Sequence, residues 1–184
     1  ASDIKGIKNK KLPAGRALGT GEIYALVAAC ENDPSPAGAR DAALIACMYP
    51  AGLRRDEVAG LDLGDYDPET GSLTVRHGKG NKERVAKVEG GGRRALADWL
   101  AIRGAEPGAL FWPINKGGAL TPRRMTNQAV YNTLAKRAQQ AKVAHLSPHD
   151  LRRTFVTDFI AETGDIHSAK TLAGHESITT TDRY

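Results

Sequence analysis

The chain has only two cysteines in 184 residues, Cys30 and Cys47, and both lie inside apolar helical stretches. Two thiols in a domain this size read as buried and reduced rather than as a disulfide framework, which suggests an intracellular setting. No apolar run approaches the roughly 20 residues of a membrane span, and no signal-peptide pattern opens the chain. Internal repeats and low-complexity tracts are missing too. So is a phosphate-binding P-loop, since Gly117-Gly118 lacks the required Lys-Ser/Thr partner. His145 and His149 make a poor zinc pair, because Pro148 interrupts the i, i+4 helical geometry such ligands need. The first residue is Ala rather than Met, which suggests a trimmed product of a longer chain.

What remains is a chain sized for one domain with a real hydrophobic core, 41% apolar and 26% charged. Its formal net charge is +5 and its pI about 9.3, compatible with a polyanionic partner. The distribution says more than the total. Residues 1–16 carry Lys5, Lys8, Lys10, Lys11 and Arg16 against the single acid Asp3. Residues 76–84 carry Arg76, Lys79, Lys82 and Arg84 against Glu83. Basic charge gathered in this way suits contacts to a phosphate backbone, which position a protein on nucleic acid without reading bases.

The pattern predicts a mainly α chain with one small antiparallel sheet (α+β). Residues 1–19 have little periodicity and read as a flexible basic lead-in, a linker from an absent domain. Thr20 is expected to cap a helix bearing Ile23, Leu26, Val27 and Cys30. Residues 39–49 are apolar on nearly every face and read as a central buried helix. A short helix starts near Leu53-Arg54, and Gly60–Gly71 reads as turns. Ser72–His77 and Glu83–Val88 then form a hairpin with a basic tip. A helix carries Leu96, Trp99 and Leu100, and residues 104–122 are a loop. Another helix runs from about Thr126 to Ala141 with Val130, Tyr131, Leu134, Ala135 and Ala138 as its apolar stripe. Both tryptophans read as packing groups.

The last forty residues carry polar groups that no core requires. Ser147, Pro148 and Asp150 stand at the cap, N1 and N3 positions of a helix whose apolar line is Leu151, Phe155 and Phe159. His149 and Arg152 are i and i+3 in its first turn, where free N–H groups and the helix dipole favour an anion. A further helix over 165–173 faces Ile166, Ala169 and Leu172 inward, and Gly174 fits its cap with His175 just beyond. Tyr184 follows nine residues after His175. His77, His145 and His167 read as solvated or locally bonded side chains.

Three blocks stand in order: Ala51-Gly52-Leu53-Arg54-Arg55-Asp56-Glu57-Val58, then His149-Asp150-Leu151-Arg152, then Leu172-Ala173-Gly174-His175 with Tyr184. Together with Gly78-Lys79-Gly80-Asn81-Lys82-Glu83-Arg84, they resemble the catalytic domain of the tyrosine recombinase (phage integrase) family. Three departures are visible: Ala173 stands where the family has a larger apolar residue; the chain ends at the tyrosine, where family members continue with residues that often dock on a neighbouring subunit; and the family's N-terminal DNA-clamping domain is absent, so the resemblance implies that residues 1–19 are its linker and 20–184 the catalytic domain.

The resemblance implies a site-specific DNA recombinase that cleaves and rejoins strands through a 3′-phosphotyrosyl intermediate, with no metal or nucleotide cofactor. Arg54, Lys79, His149, Arg152, His175 and Tyr184 would be its catalytic set. Tyr184 is then the nucleophile, although a tyrosine hydroxyl with a reference pKa of about 10 needs activation. Arg54 and Arg152 can hold the non-bridging oxygens as permanently charged forks. Lys79 would protonate the departing 5′ oxygen, and the two histidines would hydrogen-bond the phosphate or assist proton transfer. Glu57, one turn after Arg54, is expected to support the site by orienting a cation or histidine. Arg76, Lys82 and Arg84 are expected DNA contacts. The implied partners are double-stranded DNA and further copies of the chain, a tetramer in synapsis, without a membrane. The implied setting is cytoplasmic and DNA-associated, of bacterial, phage or mobile-element origin. Two other readings compete: a DNA-binding module that has lost catalysis, and a type IB topoisomerase-like strand transferase.

Overall fold

The computed structural model describes residues 15–76, 83–144 and 146–172. The expectations for His77, Lys79, Lys82, His145, Ala173, Gly174, His175 and Tyr184, and for the side chain of Leu172, lie outside the described residues.

The centre is α2 (Pro36–Met48). Ser35 caps it by accepting the Ala37 N–H, and Pro36 occupies the first turn, where a missing N–H costs nothing. Ala43 to Met48 are all buried, as expected of a helix enclosed on every side. It is flanked by α1 (Thr20–Glu31) and α4 (Gly90–Arg103), and it also touches α3 (Arg55–Gly60), α5 (Asn127–Gln140) and α6 (Pro148–Thr163). The turn joining α1 to α2 depends on Gly38: a Cβ there would stand 2.0 Å from the Asp33 carbonyl oxygen and 2.6 Å from that of Cys30. Cys30 and Cys47 are free thiols, and burial pushes both up to about 12, so neither is a nucleophile at neutral pH.

The sheet has three antiparallel strands in sequence order, β1 (Tyr66–Asp67), β2 (Ser72–Val75) and β3 (Arg84–Lys87). Leu73 pairs with Ala86 and Val75 with Arg84, which puts Leu73, Val75 and Ala86 on the core face. β1 lies in the stretch expected to hold only turns. Its two residues are too few to show the period of 2 by which a strand is recognised. Residues 104–122 form an irregular connection, pinned where Trp99 Nε1 donates to the Leu110 carbonyl at 2.9 Å.

Three expectations need correcting. Gly19, not Thr20, is the N-cap of α1, because Glu22 reaches back to the Gly19 N–H at 3.0 Å while gripping Arg16 with both oxygens. On α5 Tyr131 and Ala135 are exposed, and the buried row is Val130, Thr133, Leu134, Arg137 and Ala138. Ile166 on α7 (Ile166–Leu172) is exposed, whereas Ala169 is buried against Val156 of α6. Both errors have one origin: a hydrophobic period fixes a stripe but not which edge of it meets solvent.

The lead-in is not loose where it is described. Leu18 is buried, and its N–H donates to Thr154 Oγ1 at 2.8 Å. The Arg16 N–H reaches Asp150 Oδ1 at 2.9 Å, and its guanidinium reaches the Ala144 carbonyl at 2.9 Å. Residues 16–18 are therefore fastened along the first turns of α6.

Candidate active site

Two stretches far apart in sequence meet here. The first is the tight turn after α2, where Gly52 adopts φ +64° with its Cα facing the Phe155 ring. A Cβ at Gly52 would lie 2.4 Å from that ring, so both the backbone angle and the space demand glycine. The turn delivers Arg54 to the N-cap of α3. There its N–H donates to Glu57 Oε2 at 2.8 Å and its Nη1 to Glu57 Oε1 at 2.9 Å. The Glu57 side chain is only 1% exposed, while that of Arg54 keeps 23% of its surface. A buried carboxylate thus fixes one edge of a guanidinium whose side chain keeps part of its surface toward solvent.

The second stretch is the N-terminus of α6. Asp150 accepts the Ser147 N–H and hydroxyl, each at 2.8 Å, and the Arg16 N–H on its other oxygen. This closes the first turn as a capping arrangement and holds the lead-in against it. Arg152, 2% exposed, donates from Nη1 to the Gly52 carbonyl at 2.6 Å. That bond joins the two stretches directly, two residues before Arg54.

His149 stands on the solvent side of the same turn. Partial withdrawal of its ring from water pushes its pKa below the ordinary value of 6.5. The positive charges of Arg153, Arg152 and Arg54 push the same way, against the opposing pull of Asp150. At pH 7 the ring is therefore neutral and can donate one hydrogen bond and accept another. Arg152 and, more weakly, Arg54 are near enough for their charges to act on this imidazole.

Glu57 also binds a second arginine: Arg84 Nη2 donates to its Oε2 at 2.7 Å from the first residue of β3. Arg76, beyond β2, pairs with Asp65 at 2.5 Å. Both arginines at the base of the hairpin are thus held by carboxylates of the α3–β1 stretch, and sequence reasoning saw neither pair. No local spacing announces them, since Arg84 and Glu57 are 27 residues apart. The roles of Gly52 as acceptor and of Arg153 as a third charge near His149 were missed as well, although Arg153 is adjacent to Arg152 in the motif. Among the described residues, no three His, Cys, Asp or Glu side chains are grouped so as to hold a metal. No helix there is long and apolar enough to cross a membrane.

Comparison with known proteins bears on the same residues. The profile of the phage integrase family matches residues 16–184. The tyrosine recombinase XerC of Vibrio campbellii is 36% identical over 191 residues, covering 100% of this chain and 58% of that protein. XerC of Myxococcus xanthus is 36% identical over 195 residues, covering 100% and 63%. The chain thus spans about three-fifths of the length of these relatives. Among solved structures, XerA recombinase superposes with a TM-score of 0.77 at 24% identity, over 94% of this chain and 60% of that one. The catalytic domain of bacteriophage HP1 integrase superposes with 0.65 at 22% identity, over 93% and 87%. At such identities the structural likeness speaks for the fold, mostly helical with a small antiparallel sheet. The joining of the Gly52–Glu57 turn to the head of α6, and the match along nearly the whole chain, lead to one conclusion: this chain belongs to the phage integrase family.

Proposed function

We propose that the chain is the catalytic domain of a site-specific DNA recombinase, cutting and rejoining strands through a 3′-phosphotyrosyl intermediate. The observation that carries this reading is the bond from Arg152 Nη1 to the Gly52 carbonyl, which brings the head of α6, with His149 in its first turn, to the turn that bears Arg54. A phosphodiester under attack gathers negative charge on its non-bridging oxygens, and fixed guanidiniums meet that charge without reorganising. In this reading Arg54 and Arg152 take those oxygens and His149 donates a hydrogen bond beside them. His175 assists, Tyr184 attacks phosphorus, and the scissile P–O5′ bond breaks as the Tyr–O–P bond forms. Lys79 then gives its proton to the leaving 5′ oxygen, and reversal by another strand's 5′ hydroxyl rejoins the DNA. Glu57 holds Arg54 in place. Relatives support the assignment: several are named tyrosine recombinases, and XerH recombinase has been solved bound to its difH substrate, before cleavage. Duplex DNA and further copies of the protein, in a synaptic tetramer, would be its partners in a DNA-associated setting.

The test is covalent capture. The protein is incubated with a pool of nicked duplexes randomised on both sides of the nick, so that a cleaved strand diffuses away and traps the adduct. The expected result is a protein–DNA adduct that Tyr184→Phe abolishes. DNA binding without an adduct would make the protein a binding module, and an adduct that survives Tyr184→Phe would remove the nucleophile.

A further inference from the structure

Arg84 lies at the foot of the hairpin, opposite Val75 across the β2–β3 ladder. Basic residues in this stretch suit a phosphate backbone, but this guanidinium is turned inward. Its side chain is 14% exposed, and its Nη2 lies 2.7 Å from Glu57 Oε2. The same carboxylate holds Arg54 through Nη1 at 2.9 Å and through the backbone N–H at 2.8 Å. One buried carboxylate is thus shared between a strand of the sheet and an arginine of the site. An Arg54–Glu57 pair alone is a short i, i+3 contact whose members can turn together about their own bonds. The second guanidinium comes from a different element, and it fixes the plane of the carboxylate. The Glu57 carboxylate thus links Arg54 to β3.

We propose that Arg84 is a positioning residue for strand cleavage, acting through Glu57 to fix the fork of Arg54 relative to β3. The inference rests on the function proposed above. It differs from a phosphate-contact role in what it predicts. A phosphate contact contributes to DNA affinity and to its salt dependence, whereas a positioning residue contributes to the rate once DNA is bound.

The experiment uses the duplex selected by covalent capture. For wild type, Arg84→Met, Arg84→Lys, Glu57→Gln and the Arg84→Met/Glu57→Gln double variant, three quantities are measured: the Kd over a salt series, the single-turnover rate of adduct formation at saturating DNA, and the melting temperature. Arg84→Met should slow adduct formation by about tenfold to a hundredfold, the cost of a misplacement on the order of an ångström. Its Kd and salt slope should stay at wild-type values. Arg84→Lys, which restores a charge but not a fork, should recover part of the rate. The double variant should be no slower than the worse single one, because both act through one contact. The inference is overturned by a wild-type rate at saturation with a salt slope shallower by about one, which marks a phosphate contact. Additive rate losses would overturn it as well. If Arg84→Met melts below the assay temperature, the Arg84→Lys rate decides alone: slower than wild type at unchanged Kd supports the inference, and equal to wild type rejects it. A wild-type protein that forms no adduct would instead defeat the function on which the inference depends.

Discussion

Two arginine–carboxylate clusters, one around Asp41 and one around Glu57, treat their charges differently. In the first, Arg137 of α5 is completely buried and makes four hydrogen bonds: to Asp41 at 2.8 Å, Asp33 at 2.7 Å, the Ala29 carbonyl at 3.1 Å and Gln140 at 3.0 Å. Arg40 completes it with a 2.7 Å pair to Asp41. That cluster ties α5 to α1 and α2, and the protein consumes its charge. In the second, Glu57 is the buried member, and Arg54 keeps 23% of its side-chain surface toward solvent. The difference separates a structural ion pair from one that presents a cation: a carboxylate is enclosed in both, but only Arg137 is enclosed with it.

The comparison can be broken by substitution. The largest effect is expected from Arg137→Met, which takes a partner from Asp41 deep in the fold and from the partly exposed Asp33. Removing one member of a buried pair typically costs about 3–5 kcal/mol, read by urea denaturation. A loss of less than about 1 kcal/mol would deny this cluster its structural role. Arg54→Ala should behave the other way. Adduct formation should fall by about 10²–10³, the scale for losing one donor to a developing oxyanion. Stability should fall by only about 1–2 kcal/mol, because Arg84 still compensates Glu57. A melting loss matching that of Arg137→Met would erase the distinction.

Gly52→Ala comes next. With φ at +64° and the Phe155 ring 2.4 Å from the new Cβ, it should cost about 1–3 kcal/mol in thermal melting and displace the carbonyl that holds Arg152. An unchanged melting temperature would show that the turn relaxes freely. The smallest effect belongs to His149. Its folded pKa lies below 6.5, so the unfolded chain takes up the proton first as pH falls. Stability from this group is full above pH 6.5, declines as pH drops from there toward the folded pKa, and levels off below it. An NMR titration of the imidazole should show a midpoint below 6.5; one above it would mean that a carboxylate, not the arginines, dominates its surroundings.

Much of this was legible in the sequence where the signal is local. Ser147-Pro148-His149-Asp150 announces its helix because capping chemistry sits within four residues, and the apolar run from Ala43 to Met48 announces a central helix, although its start at Ser35-Pro36, ahead of the expected residue 39, was not read. The site's arginines were legible as motif members because the family's spacing is kept. What escaped depends on partners distant in sequence. Arg137 lies on the buried row of α5, yet an arginine in such a row reads as a solvent edge unless Asp41, 96 residues earlier, is known to face it. Arg84 and Arg76 read as free cations in a basic segment for the same reason. The fastening of residues 16–18 to α6 was hidden because it runs through backbone N–H groups, which every residue type supplies.

The central claim is that Arg54 and Arg152 converge on one scissile phosphate. The most direct measurement replaces that phosphate by a methylphosphonate, which removes the negative charge the guanidiniums would neutralise. The account predicts that Arg54→Ala and Arg152→Ala, each tested separately, cleave the methylphosphonate duplex at least about tenfold faster than the ordinary one, some 1.4 kcal/mol of barrier regained. Equal failure of both variants on both duplexes would contradict it.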